Sequence, residues 1–194
     1  MKDPSNGTYW FLLPLIAGFC SHLASSFTTG FSSRCGNRIG TLISIILRDV
    51  TGIPLWATGY LLAIKESAAL IFQPGKIISG IGWALIVAGG LVIIVALASI
   101  RIRAAAPGRD DKLVDNGIYS VIRHPIHTGS GMEFIGIFLL WPTLKVAMAM
   151  IVGFAWILLQ SWLEERDLNK RMPAYREYSG RIPRFFPHLF RKNI

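Results

Sequence analysis

Four side chains that could bind an anion or move a proton lie within nine residues of the sequence: Tyr119, Arg123, His124 and His127. Pro125 stands between the two histidines and just before an apolar run, a position typical of the first turn of a helix. The N-terminus of a helix offers a positive dipole end and free amide groups, both of which favour an anion. The spacing therefore predicts an anion-binding loop at a helix entrance. The same composition also fits an ordinary basic loop beside a membrane.

An acidic cluster at residues 164–167, Glu-Glu-Arg-Asp, directly follows a later apolar run. A carboxylate in this position could bind the ribose hydroxyls or the ammonium group of a ligand. The alternative is a solvated helix face on which the acids pair with Lys170 or Arg171, about one turn further along.

The tail that follows is basic and aromatic. Tyr175 and Tyr178 share one helical face by spacing with Leu168 and Met172, and Pro173 interrupts that helix. The sequence then continues as Arg-Ile-Pro-Arg-Phe-Phe-Pro over residues 181–187. A surface anchor that binds anionic lipid is the alternative explanation of this tail.

The sequence predicts neither a metal centre nor a disulfide. Cys20 lies in an apolar run and Cys35 follows an arginine, so the pair forms no CxxC motif and no disulfide framework. No cysteine and histidine residues stand at the spacing of a zinc site. His22, inside an apolar run, is interpreted as a hydrogen-bonded structural group.

The composition places these clusters in a membrane protein. Of the 194 residues, 52% are hydrophobic and 16% are charged, whereas soluble domains contain about 25% charged residues. A chain this apolar is not disordered. A soluble nucleic-acid-binding protein with a net charge of +9 would have an ordinary apolar content, and this chain does not. The remaining class is a multi-pass membrane protein whose lysines and arginines lie outside the lipid.

Five apolar stretches predict an all-α protein with about five transmembrane spans. A helix needs about 20 mostly apolar residues to cross the lipid core. Pro142 separates the last two stretches, which predicts a helical hairpin that crosses twice or dips into the membrane and returns. A cytoplasmic loop and a C-terminal helical tail complete this architecture. The five candidates are Tyr9–Phe31, Ile39–Ile64, Ile77–Ile100, Met132–Leu140 and Val146–Leu163.

Charge sets the predicted orientation. With five spans, 15 lysines and arginines fall on one side of the membrane and four on the other. Because basic residues collect on the cytoplasmic side, we expect the N-terminus outside and the C-terminus in the cytoplasm. The chain divides into a three-span membrane region, residues 1–100, and a region at 101–194 that carries the loop, the hairpin and the tail.

The order of these motifs resembles that of the integral-membrane methyltransferases, the superfamily of isoprenylcysteine carboxyl methyltransferases and phospholipid methyltransferases. The resemblance covers about residues 100–190. It begins with a Leu-Val-x-x-Gly-x-Tyr-x-x-x-Arg-His-Pro-x-x-x-Gly block at residues 113–129, followed by the apolar hairpin. Glu-Glu at 164–165, two tyrosines and Arg-Ile-Pro-Arg-Phe-x-Pro at 181–187 follow in order. The resemblance implies an enzyme that uses S-adenosylmethionine to methylate a carboxylate or an amine on a lipid-like substrate.

The resemblance also implies a cofactor site built by the loop and the tail. Leu113 and Val114 would contact S-adenosylmethionine through backbone and apolar surface, and Tyr119 would line its pocket. Arg123 and Arg181 would pair with a carboxylate and, with Glu164, form the catalytic set. The residues that would wrap the methionine or nucleoside part are His124, Pro125, Ile126 and His127, joined by Glu164 as the acid of the second block.

This sequence departs from the family pattern at two places. His127 stands where the family usually has a tyrosine. The stretch Met172-Pro173-Ala174-Tyr175 replaces a Phe-Gly-x-x-Tyr pattern, which predicts a locally different tail.

Methyl transfer is compatible with the residues present. An ionised carboxylate acceptor needs alignment and exclusion of water rather than a general base. An amine acceptor would first have to lose a proton, and His124, His127 or Glu133 could assist. We expect a lipophilic substrate, such as an isoprenylcysteine-type C-terminal carboxyl, to enter from the bilayer, and S-adenosylmethionine to arrive from the cytoplasm.

Two other functions remain open at this point. Membrane sterol and steroid reductases carry a similar Arg-His-Pro block and use NADPH. A non-enzymatic membrane scaffold whose basic tail binds anionic lipid would need no cofactor. Membrane lipids are expected partners in each case, and nucleic acid is not.

Overall fold

The structure, a computed structural model, describes residues 9–65, 69–100 and 113–187, and helices dominate all three ranges. The predicted all-α class is confirmed for these residues. The first part of the predicted loop, residues 101–112, and the last seven positions of the tail, 188–194, lie outside the described residues. The helices are α1 (Leu12–Ser25), α2 (Thr28–Cys35), α3 (Asn37–Ile45), α4 (Ile53–Lys65), α5 (Lys76–Ile100), α6 (Pro125–Leu140), α7 (Leu144–Arg171) and α8 (Pro173–Arg181).

Three of the described segments are long and apolar enough to cross a membrane. They are α5, α7 and the continuous segment Asn37–Lys65, in which a π-helical stretch, Ile46–Gly52, joins α3 to α4. The bent pair of α1 and α2 makes a fourth if it counts as one span. Helix α6 has 16 residues, which is about 24 Å of helix against a lipid core of about 30 Å. The structure thus has three or four candidate spans where the sequence predicted about five.

The first predicted span, Tyr9–Phe31, is not one straight helix. The axes of α1 and α2 differ by 62° across the break between them. Hydroxyl groups at the break hydrogen-bond to nearby carbonyls: Ser25 Oγ donates to His22 O at 2.6 Å, and Thr28 Oγ1 donates to Ser25 O at 2.9 Å. Such bonds compete with the helical ladder and favour bending. The bend is therefore a consequence of the serine- and threonine-rich second half of the stretch.

Helices α5 and α6 pack with their backbones in close approach at two pairs of glycines. A Cβ atom added to Gly89 would lie 2.5 Å from Gly129 O, and one added to Gly136 would lie 2.6 Å from Gly82 O. Small residues at a membrane helix interface allow this separation. The predicted division of the chain lies at residue 100, and this packing brings together helices from its two sides. The glycine pairs set the position of α6, whose first residues carry the histidines.

An aromatic cluster fills the space among α1, α4, α6 and α7. Phe19 stacks on Trp156 with ring centroids 4.9 Å apart, and Tyr60 stacks on Phe134 at 5.0 Å. Tyr60 Oη donates to the carbonyl of Ala149 at 2.9 Å, which satisfies its buried hydroxyl. The cluster fixes the rotation of α7 and so determines which of its acidic residues face α6.

Candidate functional site

The histidine-bearing loop turns at Gly117 and enters α6 at Pro125. Gly117 has a φ of +57°, the left-handed region that favours glycine, and it begins a short 3-10 helix, Gly117–Ser120. Pro125 occupies the first turn of α6, where its missing N–H costs no helical hydrogen bond. His124 is the N-cap residue of α6 and His127 lies in its first turn, so both histidines stand at the helix entrance.

Glu165 is the centre of the polar site. Its side chain is 10% exposed and contacts three positively charged or protonatable groups. His124 Nε2 lies 3.0 Å from Glu165 Oε1, and Arg123 Nη2 lies 3.2 Å from the same oxygen. Arg184 Nε donates to Oε1 at 2.9 Å, and Arg184 Nη2 donates to Oε2. The anion that pairs with the basic groups at this helix entrance is therefore a carboxylate of the protein itself.

The segment after α8 is fastened to the loop by backbone hydrogen bonds. Arg123 N donates to Pro183 O at 2.9 Å, and His124 N donates to Arg184 O at 3.0 Å. Thr128 Oγ1 also donates to Phe185 O at 3.0 Å. These bonds hold the Arg-Ile-Pro-Arg-Phe stretch against the entrance of α6, so the two sequence blocks form one structure.

Helix α8 strengthens the same junction. Pro173 begins α8 after α7 has ended at Arg171, as the predicted interruption requires. Tyr175 and Tyr178 are each 3% exposed, and Tyr178 Oη donates to Tyr119 O at 2.7 Å. The described part of the tail, residues 173–187, therefore packs on the loop.

A second set of ligand-type atoms lies beside Glu165. His124 Nδ1 is 3.4 Å from His127 Nδ1 and 3.5 Å from Glu164 Oε2. Gln160 Nε2 donates to Glu164 Oε1 at 2.8 Å and to Ser26 Oγ at 2.7 Å. Both histidines are buried, whereas the side chain of Glu164 is 37% exposed. Glu164 thus presents a carboxylate at the open side of the cluster.

The carboxylates determine the electrostatics of the loop. Burial alone would lower the pKa of His124, but its contacts with Glu164 and Glu165 outweigh burial and raise that pKa above its ordinary value. Burial and then the nearby charge of Glu164 raise the pKa of the Tyr119 phenol. The hydrogen bonds to Glu165 raise the pKa of Arg184. Tyr119 therefore remains a neutral phenol close to Glu164.

Several buried polar atoms at this site have no hydrogen-bond partner among the described residues. They include Arg123 Nε, a donor, and Gln160 Oε1, an acceptor. Trp156 Nε1 and His22 Nδ1 are also unpaired, and the Trp156 ring contacts both His22, at 4.9 Å, and His127, at 5.5 Å. Unpaired buried polar atoms are costly in a folded protein, so these atoms are candidate contacts for a polar ligand.

An apolar groove runs between α1 and α7 and ends on Trp156. Phe19 and Trp156 form its floor, and Cys20 is exposed within it. Its other lining residues are Ile16, Leu23, Val152, Ala155 and Leu159. Trp156 lines the groove and also contacts His127, with ring centroids 5.5 Å apart, so this ring lies between the groove and the polar site.

The structure brings most of the predicted site residues together. Arg123, His124, His127 and Glu164 belong to the polar cluster, with Tyr119 beside it, and Pro125 is buried at the start of α6. Leu113, Val114 and Ile126 are half-buried, outside the polar cluster. Arg181 lies apart: its side chain is 64% exposed and pairs with Glu177 at 3.7 Å.

Three residues of the site were not singled out from the sequence: Glu165, Arg184 and Gln160. Glu165 and Arg184 stand within quoted motifs, but adjacent helical residues point about 100° apart, and the sequence does not show which one faces α6. Gln160 stands four residues before Glu164, a spacing that places both on one helical face. That spacing is a signal which could have identified Gln160.

A comparison with known proteins matches the part of the chain that carries the histidines and the two glutamates of this site. The sequence model of the family described as "Phospholipid methyltransferase" matches residues 77–173, half of the chain. Over 83 residues the chain is 30% identical to the cobalt-zinc-cadmium resistance protein CzcN of Cupriavidus metallidurans, and 26% identical to the nickel-cobalt-cadmium resistance protein NccN of Alcaligenes xylosoxydans xylosoxydans. Each alignment covers 42% of this chain and 38% of the relative. No solved structure matches.

Proposed function

The chain belongs to the phospholipid methyltransferase family of membrane methyltransferases, and from this premise we propose that it transfers the methyl group of S-adenosylmethionine to a lipophilic acceptor. A carboxylate, such as an isoprenylcysteine-type C-terminal carboxyl, is the preferred acceptor in this proposal. The observation that carries it is the meeting of the two sequence blocks at His124, which contacts Glu164 and Glu165 through its ring and Arg184 through its backbone.

The polar groups of the site fit the polar groups of S-adenosylmethionine. Its methionine part carries an ammonium and a carboxylate, and its ribose carries two hydroxyls. The half-exposed carboxylate of Glu164 and the unpaired Gln160 Oε1 are acceptors for ammonium or hydroxyl groups, and the unpaired Arg123 Nε is a donor for a carboxylate. These residues, with Tyr119 and the two histidines, would hold the cofactor.

The chain's own contribution is binding, orientation and exclusion of water. S-adenosylmethionine supplies an electrophilic methyl group on its sulfonium sulfur. Glu165 keeps Arg123, His124 and Arg184 in fixed positions, which preserves the shape of the pocket. Phe185 packs beside His124 with ring centroids 5.8 Å apart, and this ring limits access of water. Positioning of this kind supplies about 7–11 kcal/mol in well-oriented reactions.

The groove between α1 and α7 provides a route for a lipophilic acceptor. Its walls are apolar, and it ends at Trp156, whose ring contacts His127 at the polar site. An acceptor lying in the groove would place its polar end near the histidines. The acceptor would therefore enter sideways from the lipid, while the cofactor reaches the half-exposed Glu164 from water.

Cofactor binding is the first test. Purified protein in detergent is titrated with S-adenosylmethionine and, in parallel, with NADPH, and binding is followed by thermal shift and calorimetry. We expect saturable binding of S-adenosylmethionine that Glu164→Gln weakens, with no stabilisation by NADPH. Glu177→Gln, at the exposed pair with Arg181, is the matched control and should bind like the wild type. Stabilisation by NADPH alone would favour the reductase, and binding of neither ligand would contradict the proposal.

Identification of the acceptor needs a second experiment. Membranes containing the protein receive S-adenosylmethionine with a labelled methyl group, together with a prenylated cysteine or with lipid, and the products are analysed by mass spectrometry. A methyl ester releases labelled methanol in mild alkali, whereas a methylated amine does not. Labelled methanol released from the prenylated cysteine is the expected result. Label found only in phospholipid, with no methanol released in alkali, would replace the carboxylate with an amine.

A further inference from the structure

The two histidines and Glu164 have an arrangement that hydrogen bonding between them does not explain. The distances from His124 Nδ1 to His127 Nδ1 and to Glu164 Oε2 are 3.4 and 3.5 Å. Charge-assisted hydrogen bonds are shorter, about 2.7–2.9 Å. A single proton on His124 Nδ1 also cannot satisfy a nitrogen and a carboxylate in two different directions.

The same distances suit coordination of a metal ion. In a tetrahedral site with metal–nitrogen bonds of about 2.0–2.1 Å, neighbouring ligand atoms lie about 3.3–3.4 Å apart. One ligand atom from each of His124, His127 and Glu164 lies within 4.8 Å of the others. Two histidines and one glutamate are a recurring ligand set for zinc that leaves a fourth position open.

The groups behind the ligands are also arranged as in metal sites. Histidine ligands usually direct their second nitrogen at a carboxylate, which fixes the tautomer and orients the ring. His124 directs Nε2 at Glu165 Oε1, 3.0 Å away, and so leaves Nδ1 for the metal. Gln160 Nε2 holds Glu164 Oε1 at 2.8 Å, which leaves Oε2 on the side of His124. Arg123 and Arg184 in turn fix Glu165.

From this geometry we propose that a divalent transition-metal ion of the Zn²⁺ and Co²⁺ class binds to His124 Nδ1, His127 Nδ1 and Glu164 Oε2, and that the bound ion competes with S-adenosylmethionine. The competition rests on the proposed function, because it assumes that the cofactor uses the same side chains. The metal site itself does not depend on the proposed function. The ion takes the place of the proton that His124 would otherwise carry on Nδ1, and water fills the fourth position. The half-exposed Glu164 gives the ion access from solvent.

The sequence could not reveal this site. Glu164 stands 37 positions after His127 in the chain, and the packing of α6 against α7 brings the carboxylate and the imidazole together. The His-x-x-His pattern at residues 124–127 provides only two ligands, and two ligands alone do not predict a zinc site.

Cobalt absorption tests the metal site without any cofactor. Full-length protein carrying no polyhistidine tag is purified in detergent, stripped with EDTA, dialysed and titrated with Co²⁺. We expect visible absorption bands of a four-coordinate site that saturate at one equivalent and disappear when Zn²⁺ is added. His127→Asn should abolish the bands, and Glu165→Gln should weaken binding by about 10–100-fold. Glu177→Gln, at an exposed carboxylate outside the site, should leave them unchanged.

A ligand-replacing variant keeps the test decisive if His127→Asn does not fold. His127→Cys retains a donor atom at the same position, and a thiolate bound to Co²⁺ adds an intense near-ultraviolet charge-transfer band. Appearance of that band supports coordination at residue 127. Absence of the bands in the wild type, or identical bands in wild type and His127→Asn, would show adventitious binding only and overturn the proposal.

A second measurement separates this proposal from the proposed function. Cofactor affinity is measured by calorimetry in EDTA and again with saturating Zn²⁺. At least a tenfold loss of affinity in Zn²⁺ is the expected result, and equal affinities would overturn the competition. Protein that binds Co²⁺ through His127 but never binds S-adenosylmethionine would contradict the proposed function and leave the metal site standing. Protein that binds S-adenosylmethionine but does not bind Co²⁺ through His127 would overturn the metal site and leave the proposed function standing.

Discussion

Glu165 is the residue on which the other charged groups of the site depend. It is 10% exposed and contacts His124, Arg123 and Arg184. Removing one member of a buried ion-pair network leaves the others charged and unpaired, which is costlier than the loss of an exposed pair. The stability of the loop and tail therefore rests on one carboxylate.

We expect Glu165→Gln to lower the free energy of unfolding by about 3–5 kcal/mol. The measurement is the midpoint of thermal or denaturant unfolding in detergent. Glu177→Gln provides the comparison, because Glu177 and Arg181 are both exposed and such pairs contribute little. Equal midpoints for the two variants would show that the stability of the loop and tail does not depend on Glu165.

The sequence predicts which types of residue form the site better than it predicts which positions supply them. The histidines and Arg123 were singled out because their types and positions at a helix entrance indicate ligand binding, and the family resemblance selected Glu164 from the acidic cluster. The sequence predicted Arg181, not Arg184, as a partner for a carboxylate. In the structure α8 ends at Arg181 and the chain then becomes extended. Which of two arginines reaches Glu165 depends on that change of backbone direction, and composition carries no information about it.

Helix α6 owes its position to the glycine contacts with α5, and the histidines move with it. Gly89 and Gly129 approach closely through their backbones, and a side chain at either position meets a carbonyl oxygen. The close contact of Gly129 is with Gly89 and Ile93 of α5. Paired glycines seven residues apart on both helices were a visible signal of this packing.

The variant Gly89→Ala tests that contact. Its Cβ atom would lie 2.5 Å from Gly129 O, so α5 and α6 must separate. Overpacking of this kind costs about 1–3 kcal/mol, and we also expect weaker S-adenosylmethionine binding as the histidines shift. Gly80→Ala is the control on the same helix, because a Cβ there meets nothing within 4 Å. A loss of stability in Gly80→Ala as large as in Gly89→Ala would contradict the packing argument.

The groove between α1 and α7 makes a separate prediction. Cys20→Trp places a large ring in the groove, and we expect it to raise KM for a lipophilic acceptor while the affinity for S-adenosylmethionine stays unchanged. Ala17→Trp places the same ring on an exposed position of α1 outside the groove lining, and should behave like the wild type. Steady-state methyl transfer with varied acceptor, combined with calorimetry for the cofactor, distinguishes the two effects. An unchanged KM in Cys20→Trp would exclude the groove as the acceptor route.

For the whole molecule, hydropathy and charge predict the class but not the number of spans. Composition indicated a multi-pass helical protein, and the described residues are helical and include three or four candidate spans. The predicted count of about five took no account of the 62° bend after α1 or of the 16-residue length of α6. Both depend on local hydrogen bonding and helix packing, to which a hydropathy window is insensitive.

The orientation of the chain follows from its basic residues and remains a prediction that labelling can decide. In a background lacking Cys20 and Cys35, single cysteines are introduced as Gly75→Cys, before α5, and Gly180→Cys, in α8. Both positions are exposed, and a Cβ there meets nothing within 4 Å. A membrane-impermeant maleimide should label Gly75→Cys in intact cells and Gly180→Cys only after permeabilisation. The reverse pattern would place the tail outside.

The bonds between the tail and the loop also constrain how the protein is made. The amides of Arg123 and His124 pair with carbonyls at Pro183 and Arg184, some 60 positions later in translation. The loop is therefore synthesised well before its partners, whereas α7 ends only 12 residues before Pro183. Until those carbonyls emerge, the amides of the loop lack these acceptors and Glu165 lacks Arg184. The site is completed last, and a chain that stops before residue 183 lacks the carbonyls and the guanidinium group that hold the loop in place.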